Sequence, residues 1–266
     1  MALFGEVVEV EWLTPRMVRV VFGGDGLADF TPTAWTDQYL NALFVPDGAP
    51  YAVPFDIDDA RAQAPEHRPV GRRYTIRWWD AASGRLAIDF VVHGDTGVAG
   101  AWANSAAPGD RLQIVGPTGG YAPDPGTDVH LMVGDESALP AIAASLERVA
   151  PTARAYAVVV VDDVRHRLEL ACPGSLEVTW VHREDAPDDA DQLLHAVQAL
   201  ALPDGTVQVF VHGEAAEVRA VRRHLLGERG IPKPGTSISP YWRRHHTDEL
   251  WREVKAEWLA ASELDV

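Results

Sequence analysis

A short segment of the chain carries cationic, hydroxyl and aromatic side chains in alternation, since residues 72–77 read Arg-Arg-Tyr-Thr-Ile-Arg. In a β-strand, side chains two positions apart lie on the same face, so Arg72 and Tyr74 would point the same way, and Trp78 with them. A guanidinium and a phenol placed in this way can bind a pyrophosphate and a ribityl hydroxyl together, and Thr75 can offer its hydroxyl or its backbone to a flavin ring. The segment therefore predicts part of a flavin nucleotide site. An exposed strand with scattered basic residues is the alternative.

A run of small residues follows the next predicted strand. Residues 96–101 read Thr-Gly-Val-Ala-Gly-Ala and come directly before a tryptophan. The first N–H groups of a helix lack intrahelical partners and bind anions, so a helix that starts here would complement Arg72 around a phosphate. A small-residue turn before a packed helix is the alternative. His93, at the end of the preceding predicted strand, could hydrogen-bond the cofactor, and a purely structural role is its alternative. The candidate cofactor-binding residues of this stretch are His93, Gly94, Thr96, Gly97, Val98, Ala99 and Trp102.

A glycine turn joins a buried apolar strand to a helix at residues 134–140, which read Gly-Asp-Glu-Ser-Ala-Leu-Pro. Nucleotides commonly dock at the carboxyl ends of parallel strands, although this spacing is not the GxGxxG fingerprint. Asp135 and Glu136 would repel a phosphate, so we expect these two residues and Ala138 to contact a nicotinamide or a ribose instead. Residues 212–214, His-Gly-Glu, repeat the pattern at a later strand end.

Composition excludes several classes of protein. With 39 acidic and 23 basic residues the net charge is −16, which argues against a nucleic-acid partner. Cys172 is the only cysteine, so neither an internal disulfide nor an iron–sulfur cluster can form. No spacing of His, Cys and Asp matches a metal site, so we expect no resident metal. The longest apolar run, residues 155–161, is far shorter than the roughly 20 residues of a membrane span, and the N-terminus does not read as a secretion signal. We therefore expect a cytoplasmic protein without a membrane span.

The pattern of predicted elements changes near the middle of the chain. Six segments of the first half read as β-strands, at residues 7–12, 17–22, 38–45, 74–79, 85–92 and 111–115. Short turns between them predict a six-stranded antiparallel β-barrel. After a Pro- and Gly-rich linker, buried strands alternate with helices, which predicts an α/β domain with a parallel sheet. We thus expect a barrel over residues 1–124 and the α/β domain over residues 125–266, ending in a helix that Thr247 caps and that carries Leu250 and Trp258 on one face.

Taken together, these motifs resemble the siderophore-interacting protein family, whose members are flavin-containing ferric-siderophore reductases with a ferredoxin–NADP reductase-like fold. The resemblance rests on residues 72–77, residues 89–94, Trp102, residues 108–110, residues 116–117, residues 134–140, residues 213–215 with the arginines that follow, and residues 241–244. It implies an FAD-binding barrel, a nicotinamide-binding domain, NAD(P)H as the electron donor and a ferric siderophore as the small-molecule acceptor. The substrate-binding residues that it implies are Asn41, Thr118, Arg243 and Arg244. An aromatic plane stacks well on an isoalloxazine, so we also expect Tyr241 and Trp242 to lie against or near the flavin, with ordinary packing at the entry of a helix as the alternative.

Three departures from the family pattern concern the substrate. Asn41 stands where members have a lysine, Thr118 where many have an arginine, and His245 where a glycine is common. Cations that would attract an anionic chelate are therefore depleted. This favours a first alternative, an FAD-dependent biosynthetic enzyme that acts on a neutral organic molecule. A flavin- or chelate-binding protein without turnover is the second alternative.

The choice between NADH and NADPH stays open at this point. Asp162 and Asp163 follow the second predicted parallel strand and would disfavour a 2′-phosphate on the donor. Arg165 and Arg167 lie in the same loop and would favour one.

Overall fold

The computed structural model describes residues 2–92, 97–187 and 189–265. Contacts within the chain divide it into two compact units, of which the first ends at Gly120 and the second begins at Tyr121. Each unit has its own β-sheet and its own hydrophobic core.

The first unit is a closed barrel of six strands in the spatial order β1-β2-β5-β4-β3-β6, with every neighbouring pair antiparallel. The strands are β1 (Leu3–Thr14), β2 (Met17–Gly23), β3 (Tyr39–Phe44), β4 (Val70–Asp80), β5 (Arg85–Val91) and β6 (Arg111–Thr118). Helix α1 (Ile57–Gln63) lies between β3 and β4, and helix α2 (Val98–Ser105) lies between β5 and β6. All six predicted strands are present, which confirms the barrel.

Two residues of the family-like motif at residues 89–94 serve the barrel itself. Asp89 on β5 pairs with Arg19 on β2, and the Nε and Nη2 groups of Arg19 donate to its carboxylate at 2.7 and 2.8 Å. The next residue, Phe90, is fully buried in the core. This part of the motif is therefore explained by packing and by a cross-strand ion pair.

The second unit is a five-stranded parallel sheet in the order β11-β10-β7-β8-β9. Its strands are β7 (Val129–Asp135), β8 (Arg154–Val161), β9 (Ser175–His182), β10 (Val207–Glu214) and β11 (Thr236–Trp242). Its helices are α3 (Leu139–Leu146), α4 (Gln192–Ala199), α5 (Ala215–Arg222), which continues as a π-helical turn over Arg223–Glu228, and α6 (Asp248–Glu263). The parallel α/β architecture is thus as predicted. Among the described residues, no helix is both long and apolar enough to cross a membrane.

Two features of this unit differ from the sequence-based expectation. Strand β11 was not predicted, because Thr, Ser and Pro dominate it and Pro240 lacks a backbone donor; an edge strand tolerates this. Thr247 caps α6 as expected and accepts a hydrogen bond from the Leu250 N–H at 3.3 Å. However, the Leu250 side chain is exposed, and the helix buries Trp251 instead.

Strand order in the second unit creates a switch point. Strand β7 is central, β8 and β9 lie on one side of it, and β10 and β11 lie on the other. Connections therefore leave the carboxyl ends of β7 and β10 in opposite directions, which opens a crevice where ligands bind in sheets of this kind.

Candidate functional site

Strand β4 presents the predicted flavin-binding residues. Arg72 is half-buried and Arg73 is exposed, as expected for neighbours on opposite faces. The Tyr74 ring packs against Phe90 with a centroid distance of 4.5 Å, so it also supports the barrel core. Thr75 is buried within the sheet. Arg72 and Tyr74 are therefore partly accessible on one face, whereas Thr75 can act mainly through its backbone.

The prediction that Trp78 shares a face with Arg72 is wrong. The pairing of β4 with β5 runs from Ile76 opposite Ile88 to Trp78 opposite Ala87, so β4 contains a bulge at this point. Ile76 lies in the core, and beyond the bulge Trp79 rather than Trp78 packs against it. A bulge shifts the alternation of side chains by one residue, which a period of two cannot anticipate.

Helix α2 begins with open backbone donors. Gly97 precedes it with a φ of 90°, and no side chain of the described residues, which leave out 93–96, caps its first turn. The first hydrogen bond runs from the Ala101 N–H to the Gly97 carbonyl at 3.1 Å, so the N–H groups of Val98, Ala99 and Gly100 have no partner within the helix. A Cβ built on Gly97 would meet no described atom within 4 Å. Backbone N–H groups at the start of a helix that lack an intrahelical partner can bind a phosphate.

Trp102 is built into the barrel. Its ring lies 6.1 Å from that of Phe22 and 5.8 Å from those of Phe44 and Phe90. This packing fixes α2 against the barrel, and a contact of Trp102 with a cofactor stays a prediction. The other candidates from this part of the sequence, His93, Gly94 and Thr96, lie outside the described residues.

The candidate substrate residues of the barrel lie on neighbouring strands. Thr118 ends β6, opposite Tyr39 on β3, and is exposed. Asn41 on β3 is half-buried, and its Oδ1 has no hydrogen-bond partner among the described residues. Its side-chain amide lies over Gly71, where a Cβ would come within 2.8 Å of it. Position 118 is thus open to solvent, whereas position 41 is packed against β4.

Two glycines lie near the carboxyl ends of the two strands that flank the switch point. A Cβ on Gly134, in β7, would come within 2.5 Å of the His212 carbonyl oxygen. Gly213, in β10, has a φ of 143°, and a Cβ there would come within 2.7 Å of an Asp135 carboxylate oxygen. Both positions therefore require glycine, which explains the repeated glycine turns of the sequence.

Asp135 is a buried hydrogen-bond hub with an exposed fraction of 0%. Its Oδ1 accepts hydrogen bonds from the N–H and hydroxyl groups of Ser137 at 2.8 and 2.5 Å. Its Oδ2 accepts from the Glu214 N–H at 2.9 Å and from the Trp242 Nε1–H at 2.7 Å. Burial raises the Asp135 pKa, the charge of Glu136 raises it further, and these donors oppose the rise. Because protein donors occupy both oxygens, the geometry favours a structural task over contact with a nucleotide.

Glu136 forms an ion pair with Arg183, a residue that sequence reasoning missed. The two terminal nitrogens of Arg183 donate to the two oxygens of Glu136 at 2.6 and 2.8 Å, and Nη1 also donates to Asp162 at 3.0 Å. Burial lowers the Arg183 pKa, but the hydrogen bonds and charge of Glu136 outweigh it and hold the pKa above its ordinary value. Arg183 directly follows β9 and so joins the carboxyl ends of β7, β8 and β9. Its place directly after a predicted strand is the feature of the sequence that could have identified Arg183 as a site residue.

A second charged cluster lies at the start of α5, and of its residues Glu217 was not predicted from the sequence. Glu214 caps this helix by accepting from the Ala216 and Glu217 N–H groups, and it also accepts from the Arg244 N–H at 3.1 Å. Glu217 forms an ion pair with the Arg244 guanidinium. Burial raises the Glu217 pKa to about 7, the charge of Asp135 adds to this, and Arg244 opposes it. Arg244, predicted to bind substrate, is therefore already paired with a buried carboxylate.

Aromatic rings line the boundary of β10 and β11. The His212 ring lies between those of Phe210 and Tyr241, with centroid distances of 4.1 and 4.7 Å, and its Nε2 lies 2.9 Å from the Ser237 hydroxyl oxygen. Burial lowers the His212 pKa to about 3, so the ring is neutral at physiological pH. Tyr241 is thus packed on the sheet. Trp242, which follows it, is 37% exposed.

The cations near the end of β8 are also engaged. Arg165 donates from Nε and Nη2 to Oδ2 of Asp163 at 3.1 and 2.5 Å. Arg167 donates from Nε to His182 Nε2 at 2.9 Å. The acidic and basic residues between which the choice of NADH or NADPH stayed open are therefore partly paired with each other.

An antiparallel six-stranded barrel followed by a parallel five-stranded sheet with a switch point is the ferredoxin-reductase-like fold. The ferredoxin reductase in carbazole 1,9a-dioxygenase, 17% identical to this chain, has the same fold, with a TM-score of 0.65 over 91% of this chain and 67% of that chain.

The chain belongs to the siderophore-interacting protein family. Residues 6–121 match the siderophore-interacting FAD-binding domain, and residues 127–245 match the siderophore-interacting protein domain. Ferric vibriobactin reductase ViuB of Vibrio cholerae is 34% identical over 94% of this chain and 92% of its own length. The NADPH-dependent ferric-chelate reductase of Escherichia coli is 30% identical over 89% of this chain and 91% of its own. The crystal structure of a siderophore utilization protein from T. fusca, 36% identical, superposes with a TM-score of 0.80 over 93% of this chain and 95% of that chain.

Proposed function

We propose that this protein is an FAD-dependent, NAD(P)H-oxidising reductase that converts the Fe(III) of a ferric siderophore to Fe(II). The observation that carries the proposal is the match of both domains, over nearly the whole chain, to relatives named as ferric-chelate reductases. Because Fe(II) is held weakly by the hard oxygen donors of such chelators, reduction would release the metal.

The barrel residues described above fit an FAD. Arg72 would bind its pyrophosphate together with the N–H groups of Val98, Ala99 and Gly100, which have no partner within helix α2. Tyr74 would hold a ribityl hydroxyl. When bound, FAD supplies the step between a two-electron donor and a one-electron acceptor.

Few cationic side chains are available to attract an anionic substrate. Arg244 is paired with Glu217, and neutral residues stand at positions 41 and 118. Arg243, which is half-buried, forms no ion pair with any other described residue and is the best candidate for an anionic chelate. A neutral or weakly charged ferric chelate therefore suits this chain better than a strongly anionic one.

The direct test follows the visible absorbance of the flavin without oxygen. Mixing the FAD-loaded protein with NADH or NADPH should bleach the flavin, and a ferric chelate added next should restore the absorbance. A ferrous-specific chelator should trap the product in parallel. No bleaching by either nucleotide would contradict an enzyme and support a binding protein without turnover.

A biosynthetic enzyme acting on a neutral organic molecule is the second candidate, favoured by Asn41, Thr118 and His245, which stand where the family pattern has lysine, arginine and glycine. The same experiment with anionic, neutral and cationic ferric chelates separates the two. Flavin that bleaches normally and is reoxidised by none of the chelates would support the second candidate.

We also propose the cytoplasm as the compartment of this protein. The proposed donors NADH and NADPH are cytoplasmic metabolites, and a chain with a single cysteine suits a reducing environment. Fractionation of cells that express a tagged full-length chain would test this.

A further inference from the structure

One side chain spans the switch point of the second unit. Trp242 ends β11, and its indole Nε1–H donates to Oδ2 of Asp135, which ends β7, at 2.7 Å. Strand β10 lies between these two strands in the sheet. The indole therefore reaches past the carboxyl end of β10 to a residue two strands away.

The backbone of β10 is shaped to permit this reach. Gly213 stands beside the Asp135 carboxylate, where any Cβ would come within 2.7 Å of Oδ2. The next N–H, of Glu214, donates to the same oxygen at 2.9 Å. The pairing of β10 with β11 shifts register at this point, from Gly213 opposite Pro240 to Glu214 opposite Trp242. The ends of three strands thus meet on one carboxylate.

We propose that Asp135 is a positioning residue that holds the Trp242 indole as a stacking platform for the nicotinamide ring of the electron donor. This inference rests on the function proposed above. Asp135 itself, which is completely buried, would touch neither cofactor nor substrate.

Position and exposure support the platform. A ligand that docks in the crevice between β7 and β10 meets the end of β10, over which the indole lies. The indole is anchored through its N–H, and Trp242 as a whole is still 37% exposed, so the side chain can offer surface to another planar ring without rotating away.

The charges around the platform favour the nicotinamide end of a dinucleotide over its phosphates. Two arginines and five acids cluster here, namely Arg183, Arg244, Asp135, Glu136, Asp162, Glu214 and Glu217. With all of them ionised the cluster is negative, which repels phosphate. A nicotinamide ring is uncharged when reduced and cationic when oxidised, so the same cluster tolerates it.

The first test is spectroscopic and requires no turnover. In an amide and indole NMR spectrum of the FAD-loaded protein, the Trp242 Nε1–H resonance is assigned by its loss in Trp242→Phe. We expect this resonance to be protected from exchange with solvent, to move in Asp135→Asn, and to shift when NAD⁺ or NADP⁺ is added. Ser137→Ala, which removes a donor from the other oxygen of Asp135, should leave the Trp242 resonance in place. Trp12→Phe, an exposed tryptophan of the barrel, is the control for nucleotide binding.

The second test measures nucleotide affinity by calorimetry. Asp135→Asn and Trp242→Phe should each weaken binding of the preferred nucleotide by about tenfold, the scale of one hydrogen bond to a charged group, and the double variant should be no weaker than either. Additive losses, an unmoved indole resonance in Asp135→Asn, or unchanged affinity in Trp242→Phe would overturn the proposal. If Asp135→Asn does not fold, the nucleotide affinity of Trp242→Phe and the nucleotide-induced shift of the wild-type indole resonance still test whether Trp242 contacts the nucleotide.

Failure of the platform and failure of the proposed function give different results. A wild-type protein that shows the nucleotide-induced indole shift but reduces no ferric chelate would retain the platform and lose the proposed function. A protein that reduces ferric chelates but shows no nucleotide-induced indole shift would support the proposed function and contradict the platform. Flavin fluorescence that changes in Trp242→Phe without a change in nucleotide affinity would assign the indole to the flavin and overturn the platform.

Discussion

At the scale of single residues, His245 departs from the family pattern at a position with an unusual backbone conformation. Among the described residues it is the only non-glycine residue with a positive φ, 63°. A glycine is common in the family at this place, after the Tyr-Trp-Arg-Arg run. The left-handed conformation explains that preference, because a side chain with a Cβ is strained there.

We predict that His245→Gly stabilises the protein by about 0.5–1 kcal/mol. Relief of left-handed strain contributes about 1–2 kcal/mol, and the greater freedom of glycine in the unfolded chain offsets part of it. Urea unfolding of the FAD-loaded protein would measure the change, with His246→Gly as the control that should give no gain. A loss of stability in His245→Gly would show that the histidine side chain makes a stabilising contact.

A second residue-scale prediction concerns FAD. Arg72→Ala should weaken FAD binding by about 1–3 kcal/mol, the scale of a lost hydrogen bond to a charged group. Arg73→Ala should have a much smaller effect, because Arg73 lies exposed on the opposite face of β4. Titration of the apoprotein with FAD, followed by flavin fluorescence, gives both affinities. Equal losses in the two variants would contradict the assignment of Arg72.

At the scale of elements, several charged contacts of the second unit lie at the carboxyl ends of its parallel strands. Asp135 ends β7, Arg183 follows β9, and Glu214 ends β10 and caps α5. The Asp135–Trp242 hydrogen bond and the Glu136–Arg183 ion pair join elements that are distant in sequence, whereas Glu214 caps the helix that directly follows its own strand. The switch point is therefore an electrostatic network as well as a crevice.

This network predicts a pH dependence of stability. Burial raises the Glu217 pKa from 4.5 to about 7, so the folded state binds a proton more tightly than the unfolded state. The free energy of unfolding should therefore fall as pH rises from 4.5 to about 7, by up to about 3 kcal/mol from this residue, and then level off. Glu217→Gln should remove that part of the slope, whereas Glu257→Gln, an exposed acid of α6, should not. Chemical unfolding at several pH values would measure the slopes, and parallel slopes for wild type and Glu217→Gln would refute the prediction.

At the scale of the whole molecule, the net charge of −16 opposes the approach of an anionic substrate. Repulsion of this kind is strongest at low salt, because counterions screen it as the ionic strength rises. We therefore expect reduction of anionic ferric siderophores to have a high KM that decreases with added salt.

Restoring two cations should recover part of that loss. The double variant Asn41→Lys, Thr118→Arg should lower the KM for an anionic ferric siderophore and leave flavin bleaching by NAD(P)H unchanged. Thr118→Arg alone should contribute more, because position 118 is exposed whereas Asn41 is packed against Gly71. Steady-state reduction at two ionic strengths measures this. Efficient wild-type turnover of a strongly anionic chelate, with no gain in the variant, would show that Arg243 or other groups already attract it.

Local patterns in the sequence determined the two kinds of architecture and the family. Alternation with period two predicted the six barrel strands, and buried strands alternating with helices predicted the parallel sheet, because both patterns record which side chains must leave water. The motifs at residues 72–77 and 134–140 likewise predicted where phosphate and nicotinamide groups would be bound, and those assignments remain predictions. A bulge in β4 and the Ser- and Pro-containing edge strand β11 lay beyond such patterns, since neither produces a hydrophobic period.

Only the tertiary structure decided what the charged residues at the strand ends do. Asp135 and Glu136 are adjacent in sequence, yet one is a buried acceptor for Trp242 and the other pairs with Arg183. The partners lie 107 and 47 residues away along the chain, so no local pattern could bring them together. Strand order in the sheet does so, because parallel strands place residues from distant segments at one common edge. The sequence alone determined which chemical groups are available, and the topology decided which of them are already satisfied by the protein and which remain for a ligand.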